Sequence, residues 1–134
     1  MTDDGRQRLD RCVDEIESAY EYFLAYAAQG RRSDRDGGAT GPSEVRDRLE
    51  RMTAAIAELD EVVRARAAAV SPESLDTSKA FFSAVAEDAA AAAGILRLVL
   101  AREDISSQLI DNLNASIHVR ALLTDLFIVD EALR

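Results

Sequence analysis

The chain has 134 residues, with 25 acidic and 16 basic side chains, a formal net charge of −9, one His, one Cys and no Trp. That charge opposes a phosphate backbone, and the single Cys12 can neither close an internal disulfide nor complete a structural zinc site. No uninterrupted apolar run reaches the roughly 18 residues of a membrane span, so neither nucleic acid nor membrane is expected as a partner. The N-terminal MTDDGRQRLD lacks the basic-then-apolar order of a signal peptide, so a soluble, cytoplasmic protein in a reducing compartment is expected. All the basic residues except Lys79 are Arg, and Ala is abundant. A GC-rich genome or a saline cytoplasm gives the same bias, so acidity alone names no partner.

The first periodic segment spans 6–29, where Leu9, Val13, Ile16, Tyr20, Phe23 and Ala27 alternate spacings of four and three, the signature of one helix face. Gly30 stops it, and RRSDRDGGATGP makes 30–42 a flexible connection. The second helix is expected over 43–69 from an N-cap at Ser43, with Val45, Leu49, Met52, Ile56, Leu59 and Val63 in phase. Ser71-Pro72 is a helix-start pair, so the third helix is expected over 72–101 with a stripe of Phe82, Val85, Ala89, Ala92, Leu96 and Val99. Asp104 is placed to cap a fourth helix over 105–133, whose stripe reads Leu109, Leu113, Ile117, Ala121, Thr124 and Ile128.

Nothing alternates with period two over a strand's length. The fold class is therefore all-α: a single-domain, antiparallel up-down-up-down four-helix bundle, since the later connections are short enough to make neighbours antiparallel.

Two surfaces exceed what one bundle needs. ALLTDLFIV over 121–129 holds one charge, Asp125, and Leu122, Leu123, Leu126, Phe127 and Val129 are too many for one core-facing stripe. A homodimer interface at those five residues is the expectation, with a more globular packing of the same segment as the alternative. All three tyrosines, Tyr20, Tyr22 and Tyr26, fall in helix one, which also carries a second stripe of Glu15, Ala19, Tyr22 and Tyr26. With Arg31, Arg32 and Arg35 in the following loop they form a candidate partner-binding surface, because Tyr joins a large contact area to a polar tip. Ordinary bundle packing of the rings and solvation of the arginines is the competing reading.

Catalytic patterns are missing. A dinuclear carboxylate bundle needs Glu-x-x-His on two helices, whereas His118 is the sole histidine and Ala115 occupies the Glu position. Glu15, Glu17, Glu58, Glu87, Asp88 and Asp125 could bind a hard cation only if they converged. A phosphotransfer histidine would want a basic residue and a Gly nearby, but Ala121 and Leu122 stand there. Cys12 reads as a small packing residue, and GGATGPS lacks the Lys-Ser/Thr end of a phosphate loop. No catalytic residue, metal ligand or cofactor is assigned. Arg97 and Arg120, in apolar surroundings, either pair with Glu87, Asp88, Asp111 or Asp125 or extend their heads to water.

The segment IESAYEYFLAYAAQGR, 16–31, resembles the first helix of small bacterioferritin-like helical proteins encoded beside carboxysome and carbon-fixation genes. The resemblance implies an accessory role around Rubisco or the carboxysome, and the missing Glu-x-x-His motif argues against iron storage. The expectation is a non-enzymatic accessory or adaptor that binds itself and a larger protein or assembly. The alternative is a ferritin-like bundle holding a metal or small ligand through carboxylates.

Overall fold

The structure is a computed structural model that describes residues 4–35, 43–70 and 72–133. Among them it is all-helical: α1 (Asp4–Ala27), α2 (Glu44–Val70), a 3₁₀ turn (Pro72–Ser74), α3 (Lys79–Leu100), α4 (Ser107–Ala115) and α5 (Ile117–Ala132). No strand occurs among the described residues. Most of the Gly-rich part of the first connection, and Ser71, lie outside them.

α1 closes in a short turn, with the amides of Ala28 and Gln29 bonded to the carbonyls of Ala25 and Tyr26. Gly30 then takes φ +65°, the left-handed conformation that a Cβ would strain. Ser43 caps α2, its hydroxyl accepting from the Arg46 amide at 3.4 Å. α3 starts later than Pro72 suggests, because the chain spends residues 72–74 in the 3₁₀ turn and 75–78 in further turns.

The fourth expected helix is two helices. Ser116 leaves helical geometry at φ −58°, ψ 129°, and its hydroxyl accepts from the amide of His118 at 3.2 Å, so it ends α4 and caps α5. The cap of α4 is likewise Ser106, accepting from the Leu109 amide at 3.0 Å, and not Asp104. The break resets the helical phase. α4 buries Ser107, Ile110, Leu113 and Asn114, while α5 buries Val119, Leu122, Leu123, Leu126 and Val129. Ile117, Thr124 and Ile128, which an unbroken helix would turn inward, are exposed, Ile117 by 75%.

α1 packs along α2 and α4, and α3 packs along α2 and α5. One apolar core runs through all five, with Leu9, Ile16, Leu49, Met52, Leu59, Leu96, Ile110 and Leu122 fully enclosed. Each such side chain removed from water contributes roughly 1.5–3 kcal/mol. α1 and α5 do not pack along one another. They meet near their ends, where the Arg6 guanidinium reaches Asp130 and the Leu133 carbonyl, each at 3.4 Å.

Candidate functional site

Because the α4–α5 break lets α4 lean on α1 and α5 lean on α3, a groove of about 470 Å³ opens between α1 and α5. Glu17, Tyr20 and Glu21 form one wall, and Arg120, Leu123, Thr124 and Phe127 form the other. Helical spacing sets both walls: 17, 20 and 21 lie on one side of α1, and 120, 123, 124 and 127 on one side of α5. The floor is apolar, from Leu123 and the half-buried ring of Tyr20, while Phe127 is 60% exposed on the rim.

The charges along this groove are incompletely matched. Burial, then the neighbouring Asp14, Asp130 and Glu21, push the Glu17 carboxyl above its ordinary range. Among the described residues Glu17 and Glu21 are in no ion pair, and neither is Arg120 on the facing wall, whereas Asp130 is held by Arg6.

A different polar cluster closes the end of the molecule where α1 meets the α3–α4 connection. Asp34 is 5% exposed and accepts from Arg46 Nε at 2.7 Å and from the Ile105 amide at 3.0 Å. The remaining Arg46 nitrogens donate to the carbonyls of Leu100 (3.2 Å), at the end of α3, where the helix leaves carbonyls without partners, and of Arg102 (2.6 Å) and Glu103 (2.7 Å) in the connection that follows. Burial alone would raise the Asp34 carboxyl. Bonds from the Ile105 amide, the Ser43 hydroxyl and Arg46 outweigh it and hold the group at about 2. Beside it the Tyr26 hydroxyl donates to the Ile105 carbonyl at 2.6 Å, and Ser107 exchanges bonds with Arg31 and Tyr26.

The tyrosines therefore divide. Tyr20 lies in the groove, while Tyr22 and Tyr26 stack on the other side of α1, with ring centroids 6.2 Å apart. Tyr26 is 1% exposed and belongs to the core, so it is removed from the partner-binding set. The second stripe of helix one is largely a second core face, since Ala19 is also buried. Arg31 lies over the Tyr26 ring at 5.2 Å and bonds the Asp34 carbonyl, so it serves the loop. Arg48 covers Tyr22 at 5.5 Å. Arg32 and Arg35 are exposed, well apart in sequence and contact from the α1–α5 groove.

The apolar segment of α5 is reassigned in the same way. Leu122, Leu126 and Val129 are at most 1% exposed and Leu123 8%, so four of the five proposed interface residues are used inside the chain. They form one stripe about 120° wide, which a single core accommodates. Phe127 alone remains outside.

The other candidates have structural places. Cys12 is buried, its thiol 3.8 Å from the Ala55 carbonyl, and burial pushes it up. It floors a second groove of about 560 Å³ between α1 and α2, where Arg51 is paired with Glu15 and Asp47. His118 is exposed. Arg97 and Arg120 are both exposed and make no ion pair among the described residues. No group of three His, Cys, Asp or Glu residues among the described residues could hold a metal ion. Asp88 and Asp125 do meet, across the α3–α5 packing. Burial first, then the neighbouring Asp88 carboxylate, push Asp125 up to about 7.

Sequence reasoning missed the groove because it requires the helix break. Ser116 before Ile117-His118 was the available signal, a residue type that favours N-caps. No protein-family model, no curated protein and no solved structure matches the chain.

Proposed function

We propose that this protein is a non-enzymatic docking module: an up-down helical bundle, its fourth position shared by α4 and α5, that receives a protein partner in the α1–α5 groove. The observation that carries the reading is Phe127, a large aromatic side chain 60% exposed at the edge of an apolar floor, beside Glu17, Glu21 and Arg120, which pair with no other described residue. Exposed aromatics with a polar rim are what binding anchors look like before they are covered. Most of the α5 residues that favoured a homodimer, Leu122, Leu123, Leu126 and Val129, are used inside the chain, which favours a different partner. An accessory role toward a larger assembly, as the first-helix resemblance implies, is compatible with this groove and is part of the proposal only as a setting.

The test is site-specific photocrosslinking in the native host. A photoreactive residue replacing Phe127 should trap a discrete partner that the same group at Ala57, exposed on α2, does not trap. Equal trapping at both positions, or none at Phe127, would refute docking in this groove.

A further inference from the structure

We infer that the occupant of the α1–α5 groove is a cationic amphipathic helix of a partner protein, seated by an apolar side chain between Tyr20, Leu123 and Phe127. The inference rests on the docking reading above and goes further in naming the chemistry of the partner.

Charge complementarity selects this occupant. One wall presents Glu17 and Glu21, one helical turn apart and in no ion pair among the described residues, and Asp14, which lines the α1–α2 groove, lies close enough to add to their negative field. A cationic side chain from an occupant would find two carboxylates at the spacing that a facing helix repeats. It would also relieve the mutual repulsion among Asp14, Glu17 and Glu21. A helix placing its apolar face on the floor and its basic flank toward α1 satisfies both requirements, the arrangement by which amphipathic helices fill hydrophobic grooves. Arg120, on the α5 wall and also in no ion pair, sets direction: the flank facing α5 should be acidic or neutral.

A second copy fits less well. It would bring a further formal charge of −9 toward an acidic wall. Long-range steering likewise favours a basic partner, with association rates that fall as salt rises.

The probe is a fluorescein-labelled helical Leu/Lys peptide of about 18 residues, roughly 27 Å when helical, titrated with the full chain and followed by anisotropy. A Leu/Glu peptide of the same length serves as its counterpart. Saturable binding of the Leu/Lys peptide only is expected. The Glu17→Gln/Glu21→Gln variant should weaken it about tenfold, a loss of about 1.4 kcal/mol, and Phe127→Ala should weaken it by a similar factor. Glu50→Gln/Glu103→Gln, which removes the same charge from exposed sites elsewhere, should change it less than twofold. Arg120→Ala should tighten it, since the peptide carries no acid for that wall. Circular dichroism of each variant checks that the helices persist.

Equal weakening by the control pair would reduce the effect to general acidity and overturn the inference, as would equal binding of the Leu/Glu peptide. A wild-type dimer in sedimentation that dissociates in Phe127→Ala would overturn it in favour of a second copy. A partner trapped at position 127 together with groove-independent peptide binding would leave docking intact and refute the cationic helix. Absence of trapping at 127 would refute docking itself.

Discussion

Two polar regions of the molecule treat charge in opposite ways. Around Asp34 and Arg46, the carboxylate and the guanidinium are both bonded within the chain, and the pair joins the first connection to the end of α3. Along the α1–α5 groove, Glu17, Glu21 and Arg120 flank an apolar floor with no ion-pair partners among the described residues. A charge buried without compensation is costly, so the first cluster must be complete for the chain to fold. Half-exposed charges carry no such requirement. The contrast separates residues that hold the structure from residues free to meet something else.

The sharpest way to break the comparison is at Asp34. Asp34→Asn should cost about 3 kcal/mol of stability at pH 7, within the usual range for removing one member of a buried pair, measured by urea denaturation. The same variant carries a pH signature. With its folded carboxyl held at about 2 against an ordinary 3.8, Asp34 stabilises the fold fully above pH 4 and loses that contribution as pH falls toward 2. Roughly 2 kcal/mol of the wild-type advantage should therefore disappear over that interval. An advantage independent of pH would show that the carboxylate is not what Arg46 and Ile105 recognise.

Tyr26→Phe tests the same end more gently. It keeps the buried ring and removes the hydroxyl that bonds Ile105, and a loss of about 1–2 kcal/mol is expected from the bond and the orphaned carbonyl. A neutral result would place Tyr26 in the core for its ring alone.

The Asp88–Asp125 contact gives the opposite sign. A carboxyl raised to about 7 favours the folded state when protonated, so its penalty grows as pH rises from about 4 to 7 and is complete above that. Asp125→Asn should stabilise the protein by about 1 kcal/mol at pH 8 and leave it unchanged near pH 4. Thermal melts at the two pH values decide it.

The smallest effect on stability belongs to the groove. Phe127→Ala should change the unfolding free energy by no more than about 0.5 kcal/mol, as an exposed substitution does. A loss several times larger would mean that Phe127 supports α5 and that the groove is a structural feature like the Asp34 cluster.

Much of the helical architecture was legible. The spacing of Leu9, Val13, Ile16 and Phe23, and of Val45, Leu49, Met52, Ile56, Leu59 and Val63, names residues that are buried. Gly30 and Ser43 mark a helix end and a helix start for reasons local to each residue. The fourth segment misled because period alone extends through a break. Once Ser116 leaves helical geometry, every later position turns, and Thr124 exchanges its place with Leu122 and Leu126. Tyr20, Leu123 and Phe127 were all visible as unusual residues, but their meeting in one groove was not, because they are about a hundred residues apart on helices that do not pack together. Grouping the tyrosines by nearness in sequence also failed, since two residues along a helix is about 200° of rotation.

By itself, then, the sequence determined the helical class, two long amphipathic faces and the helix-ending glycine, all of which follow from neighbours within a few turns. Only the tertiary structure decided that Tyr26 is core, that Asp34 and Arg46 complete one another, and that a groove opens between α1 and α5. Those outcomes depend on which helices meet and in what phase, and a single capping serine controls that phase for all of α5.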